Sequence, residues 1–262
     1  MVHFITWNVD PELFNIDIGT FNLVIRWYGL LFAMAFVFGY IIMKHIFSYE
    51  KVPEKLLDQL ATYMIIATVI GARLGHTLFY EPDYYLSHPL EILKIWKGGL
   101  ASHGAAIGII LALILFARKN KRSFWWVIDR VVIVVALGGV LIRTGNLMNS
   151  EIYGKPSELP WAFVFLRDNT VPRHPTQIYE ALSYLLIFIY LYFHYKSTKG
   201  KPKPAFLTGM FLILVFAARF FIEFLKEPQV GFEQSMALNM GQLLSIPFVV
   251  AGLVMVFWPR KP

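Results

Sequence analysis

The sequence predicts an all-α integral membrane protein: seven transmembrane helices, the N-terminus outside, the C-terminus cytoplasmic, and a small extracytoplasmic head between the fourth and fifth helices. Three observations carry that prediction. The first is composition: 57% of the 262 residues are hydrophobic and only 16% charged, with a mean hydropathy of +0.56, far more apolar than a soluble domain of this length. The second is a set of seven windows of about 20 apolar residues, the length that crosses ~30 Å of hydrocarbon as a helix. Their cores are 25–43, 59–80, 100–117, 124–146, 176–195, 205–225 and 239–258. The third is loop charge. One alternating set of loops, which includes Lys44, Arg118, Lys196 and Arg260, holds thirteen Lys and Arg, and the opposite set holds six, so the positive-inside rule puts the richer set in the cytoplasm.

The net charge of +7 is therefore a topology signal, and nucleic-acid binding is excluded as its cause. No Lys or Arg precedes Arg26, so the basic start of a cleaved signal peptide is missing and the first span is expected to be retained. With no cysteine, the chain has no disulfide, no thiolate metal site and no cysteine nucleophile. Any thiol chemistry has to use a substrate's thiol. No acidic cluster has metal-ligand spacing, so neither metal nor cofactor is expected. There is no internal repeat, and residues 1–262 read as a single polytopic membrane domain. Its one long connection, 147–175, is the head insertion.

An Arg or Asp at the bilayer centre costs about 2.5 to 3.5 kcal/mol on the insertion scale, so each charge within a span needs a partner or a task. Arg26 and Tyr28 stand at the outer start of the first span; Arg73, His76 and Tyr80 share one face near the outer end of the second. His103 enters the third within GGLASHGAAIG, whose small residues allow close approach. Arg143 and Asn146 close the fourth, Gln177, Glu180 and Tyr184 stripe the fifth, Arg219 and Glu223 lie one turn apart in the sixth, and Asn239 and Gln242 open the seventh. All these groups fall at the level of the outer leaflet, which reads as one hydrated, lipid-accessible cavity. Asp129 and Arg130, near the inner interface, read as a structural or snorkelling pair, and Tyr28, Tyr80 and Tyr184 also fit an interfacial aromatic belt.

Five motifs, RWYG (26–29), SHG (102–104), RTGNLMNSEIYG (143–154), RHPTQIYE (173–180) and RFFIEF (219–224), resemble in order and type those of the prolipoprotein diacylglyceryl transferase family. Two departures stand out: SHGAA where the family usually shows SFHGG, and Ile142 where it shows a glycine before the motif arginine. The resemblance implies an enzyme of the bacterial cytoplasmic (inner) membrane. It would move the diacylglyceryl group of phosphatidylglycerol onto the lipobox cysteine of a prolipoprotein signal peptide, leaving a thioether and releasing glycerol phosphate.

The residues suit that reaction. A thiol with a pKa of about 8.5 can give its proton to a neutral histidine, and His103 is the candidate base. Arg143 and Arg219 can bind phosphate bidentately and stabilise the leaving group, with Tyr28 beside them as a further catalytic candidate. Asn146, Asn149, Glu151, Gly154, His174, Gln177, Glu180 and Glu223 complete the expected phosphatidylglycerol site, the glutamates fixing the arginines or the headgroup hydroxyls. Two other classes compete. A transporter would need polar groups below the midplane, where they fade here; a lipid-binding scaffold would hold anionic lipid without turning it over.

Overall fold

The computed structural model describes residues 3–19, 21–227 and 236–257. Among the described residues, seven helices are long and apolar enough to cross a membrane: α1 (Trp27–Tyr49), α2 (Glu54–Phe79), α4 (Ser102–Lys119), α5 (Phe124–Met148), α6 (Thr176–Ser197), α7 (Phe206–Ile222, prolonged to Leu225 by a 3-10 turn) and α8 (Met240–Phe257). Each coincides with a predicted window. The short α3 (Pro82–Ser87) and two 3-10 turns follow α2. The chain forms two compact units, Met1–Ile42 with Asp129–Pro262, and Met43–Ile128, whose boundaries fall inside α1 and α5.

In the first unit α7 and α8 touch backbone to backbone: a Cβ on Gly252 would lie 2.7 Å from the carbonyl oxygen of Gly209. Neither helix start is left uncapped. At α8, Asn239 and Gln242 form a reciprocal capping box, the amide of Gln242 donating to Asn239 Oδ1 at 2.9 Å and that of Asn239 to Gln242 Oε1 at 3.1 Å. At α7 the cap comes from α5: Asp129 accepts from the amides of Ala205 (2.8 Å) and Thr208 (2.9 Å) and from the Thr208 hydroxyl (2.6 Å). Arg130 donates to the Gly200 carbonyl at 3.0 Å. With both residues almost fully buried, the structural reading of Asp129 and Arg130 holds.

The 147–175 connection takes part in a sheet that no local pattern announced. Strand β1 (Ile5–Trp7) pairs in parallel with β4 (Phe163–Phe165), which pairs antiparallel with β5 (Pro172–Arg173). The N-terminus thus folds into the 147–175 connection, and Trp7 packs on Leu147, Phe163 and Phe165 while its indole donates to the Leu147 carbonyl at 3.0 Å. A separate hairpin, β2 (Glu12–Ile18) and β3 (Phe21–Arg26), runs straight into α1.

In the second unit glycines seal α2 to α4. A Cβ on Gly71 would sit 2.5 Å from the Gly104 carbonyl oxygen, and one on Gly108 would sit 2.6 Å from that of Ala67. The contact thus falls on Gly104 and Gly108, one turn apart. Ala105 and Ala106 stand off this seam, Ala106 exposed, so alanine after SHG leaves the helix contact intact.

Arg73 departs from expectation. The residue is 4% exposed, and its guanidinium donates to four main-chain carbonyls: Glu91 (2.6 Å), Ile92 (2.8 Å), Gly98 (2.6 Å) and Gly99 (3.1 Å). Tyr85 covers it at 4.9 Å. Gly98 (φ +86°) and Gly99 (φ +73°) take left-handed conformations that few other residues adopt. Arg73 is the anchor of the 88–99 loop rather than a wall of a polar cavity.

Candidate active site

The site begins where α5 ends. Arg143 and Asn146 share a face at i and i+3, and Nη1 of the arginine donates to Asn146 Oδ1 at 3.1 Å. The chain then turns back sharply through Ser150 (φ +54°) and Ile152 (φ +59°), left-handed conformations that cost about 1 to 3 kcal/mol each and collect at functional sites. That turn brings Glu151 under the helix end. Its Oε1 accepts from Asn146 Nδ2 at 2.8 Å and Asn149 Nδ2 at 3.2 Å, and its carbonyl accepts from Gln177 Nε2 at 2.6 Å.

Helix α6 supplies the counter-charge. Glu180, 0% exposed, places Oε2 2.9 Å from Arg143 Nε, at ion-pair distance without the alignment of a hydrogen bond. Its other oxygen, Oε1, accepts from Lys226 Nζ at 3.0 Å, and Lys226 stands 3.4 Å from Glu223 Oε2. Tyr184, one turn beyond Glu180, lies within electrostatic reach of Arg143 and Arg219, and Glu223 within reach of Arg143. Tyr28 approaches Arg143 and Glu151 from α1. Two glycines of α5 seat these tyrosines: a Cβ on Gly145 would come 2.8 Å from the Tyr28 ring, and one on Gly139 would come 2.8 Å from the Tyr184 ring.

A scaffold from the 147–175 connection and the residues that follow it braces this network. The Gly154 amide donates to the His174 carbonyl at 2.8 Å, Thr176 donates to the Ile152 carbonyl at 3.0 Å, and Gly154 bridges to Lys226. Gly154 has no room for a side chain, since its Cβ would lie 2.5 Å from the Leu225 carbonyl oxygen. Burial holds the His174 imidazole pKa below its ordinary value, and it touches the Tyr179 hydroxyl at 3.3 Å. Nearby, Tyr153 donates to Asp168 Oδ2 at 2.5 Å; burial and that carboxylate push its phenol up to about 12.

Asn146, Gln177, Glu180, Glu223 and Lys226 are buried, whereas the Arg143 side chain keeps 15% exposure. It borders a cavity of about 230 Å³ between α5 and α6, lined otherwise by Gln177, Thr144 and apolar side chains, among them Val140, Leu147, Ile178 and Leu182. The arrangement presents one guanidinium, braced from behind by a carboxylate and an amide, at the edge of an apolar chamber. Such a group suits an anion whose remaining atoms are apolar.

The expected residues divide. Tyr28, Arg143, Asn146, Asn149, Glu151, Gln177, Glu180, Arg219 and Glu223 gather in the first unit, with Gly154 and His174 as bracing. His103 belongs to the second unit, exposed on the first turn of α4. Asn239 and Gln242 serve α8 as its cap, although Asn239 also donates to the Glu223 carbonyl at 3.3 Å. Lys226 went unrecognised in the sequence, counted only as a loop charge. Its one local signal was the i, i+3 spacing from Glu223.

The sequence profile of the prolipoprotein diacylglyceryl transferase family matches residues 13–258. A phosphatidylglycerol–prolipoprotein diacylglyceryl transferase of Tolumonas auensis is 51% identical over 256 residues, covering 97% of both chains. Proteins of the same name from Chloroherpeton thalassium (46% identical, covering 98% of this chain and 95% of the relative) and Nitrosomonas europaea (38%, covering 97% and 92%) are similarly collinear.

Proposed function

Because the chain belongs to the prolipoprotein diacylglyceryl transferase family, we propose that it joins the diacylglyceryl group of phosphatidylglycerol to the lipobox cysteine of a prolipoprotein. The observation that carries the site assignment is Arg143, braced by Glu180 and Asn146 and partly exposed beside an apolar cavity. The thiol sulfur attacks the glyceryl CH₂ that bears the phosphate, a C–S bond forms, and the C–O bond to phosphate breaks. Glycerol phosphate leaves with the bonding electron pair, and the thiol proton goes to a general base, the role for which the sequence offers His103. Arg143 and Arg219 stabilise the phosphate as charge grows on it. Asn146 and Glu151 hold the Arg143 fork, Tyr28 borders the same space, and the apolar chamber takes the glyceryl and acyl part of the lipid.

The protein is a multi-pass membrane protein, and we place it in the bacterial cytoplasmic membrane with this site facing the outer leaflet. The support is loop charge: the residues between α5 and α6 belong to the loop set poorer in Lys and Arg. In the same reading the head is an insertion in a single polytopic domain. Because the chain has no cysteine, single cysteines at Ser123 and Glu158, both exposed, test the orientation. An impermeant thiol reagent applied to intact cells should label the second and spare the first; the reverse pattern inverts the membrane orientation.

The activity is tested by supplying purified protein with phosphatidylglycerol and a lipobox peptide and measuring glycerol phosphate. Binding without release is the scaffold outcome. His103→Gln should slow transfer by roughly 10² to 10⁴, the usual contribution of a positioned base. Alkali should restore part of that rate, because a thiol with a pKa of about 8.5 then ionises unaided. A variant equally slow at every pH assigns the proton to another route.

A further inference from the structure

Among the described residues, Lys226 is a buried cation of the first unit's outer cluster that touches two carboxylates, Glu180 at 3.0 Å and Glu223 at 3.4 Å, with 4% of its surface exposed. An arginine facing a carboxylate commonly forms two parallel bonds that occupy the whole fork. Arg143 and Glu180 form no such aligned pair. Nε stands 2.9 Å from Oε2 without the alignment of a hydrogen bond, and the other carboxylate oxygen, Oε1, is held by Lys226. The backbone fixes the ammonium where it can do this: Lys226 bridges to Gly154, and its amide donates to the Glu223 carbonyl at 3.2 Å. Glu223 neighbours both cations, so it steadies Lys226 without replacing it.

We propose that Lys226 is a positioning residue for phosphate binding: by claiming Oε1 of Glu180 it keeps that carboxylate from closing over the Arg143 fork, which stays turned toward an anionic headgroup. This rests on Arg143 being the phosphate clamp. Without Lys226, two buried carboxylates would face Arg143 with one cation fewer between them. Glu180 would then swing wholly onto the guanidinium, and the clamp would be filled by the protein's own anion.

The proposal makes Lys226 matter only while Glu180 carries its charge, which a double-mutant cycle reads directly. Wild type, Lys226→Met, Glu180→Gln and the double variant are purified in detergent, and KM is measured separately for phosphatidylglycerol and for a lipobox peptide. Lys226→Met should raise KM for phosphatidylglycerol by about 30-fold while peptide KM stays within about threefold. In the Glu180→Gln background the same substitution should change phosphatidylglycerol KM by less than about threefold. An equal effect in both backgrounds, or an equal rise in both KM values, overturns the proposal. If Lys226→Met alone does not fold, the double variant decides: phosphatidylglycerol KM matching that of Glu180→Gln supports the proposal, and a double variant that is unfolded or much weaker overturns it. Arg143→Lys in the same assay separates the two levels. Wild-type turnover there removes the clamp itself, whereas an impaired Arg143→Lys beside an unaffected Lys226→Met removes only the role of Lys226.

Discussion

Arg73 and Arg143 look alike in the sequence. Each is a charge near the end of a long apolar run, with polar residues three or four positions on, and the same insertion cost argues that each needs a partner. The structure gives them opposite kinds of partner. Arg73 meets carbonyl oxygens, four of them, and is covered by a ring. Carbonyls are neutral, so the guanidinium spends four of its five N–H donors on holding a loop. Arg143 meets a carboxylate on one side and an amide on the other, both themselves held from behind, and retains surface beside a cavity. Partners of the first kind saturate a cation; partners of the second kind aim it. The number and charge of the acceptors, more than burial, distinguish an arginine saturated as an anchor from one left able to bind an anion.

The sharpest break of this comparison is Arg143→Lys. It keeps the charge and loses the planar fork, so turnover should fall by about 2 to 4 kcal/mol in barrier, the size of losing one preorganised donor, while the melting temperature in detergent changes little. Normal turnover with a lowered melting temperature would make Arg143 an anchor like Arg73. The mirror experiment is Arg73→Lys. An ammonium cannot reach four carbonyls spread along 91–99, so stability should drop by about 2 kcal/mol, seen by thermal unfolding, with turnover per folded molecule near that of wild type. A folded Arg73→Lys protein with lost turnover would draw Arg73 back into the site.

A third test probes the bracing behind Arg143. Gly154→Ala places a methyl group against the Leu225 carbonyl and the His174 and Thr176 side chains, so overpacking should cost about 1 to 2 kcal/mol and loosen the contact that carries Lys226. Unchanged stability would show that the 147–175 connection can shift independently of the network. The smallest effect concerns pH. Burial lowers the His174 pKa in the folded protein, so the unfolded chain takes up this proton first as pH falls. The stability associated with neutral His174 is complete above about pH 6.5 and drains away as pH drops through the lower folded value. In His174→Asn that component of the acid-side slope should vanish, and an unaltered slope would move the proton uptake elsewhere.

Much of the site could be read from spacing because much of it is helical. Arg143 with Asn146, and Gln177 with Glu180 and Tyr184, sit three or four residues apart, and helix geometry alone puts each set on one face. Glu151 was legible only as a polar residue beyond the span, since its return beneath the helix depends on left-handed Ser150 and Ile152, neither a residue that favours that conformation. Lys226 was hidden because loop charges serve topology, and nothing in the run FLKEP tells a charge facing water from one facing two glutamates. Arg73 was misassigned because its partners are main-chain carbonyls, which have no sequence signature.

By itself the sequence determined the positions of the seven long apolar helices and which polar residues share a helix face, because both follow from transfer free energies and helical periodicity, quantities local to a window of residues. The family was legible in it too, as five motifs in order. Only the tertiary structure decided which charge meets which: that β1 would leave the N-terminus to pair with β4, that Asp129 on α5 would cap α7, and that one carboxylate of Glu180 would be divided between Arg143 and Lys226. Those pairings join residues remote in the chain. They are selected by the cost of leaving a buried charge or amide without a partner, and that cost has no local expression until the helices are packed.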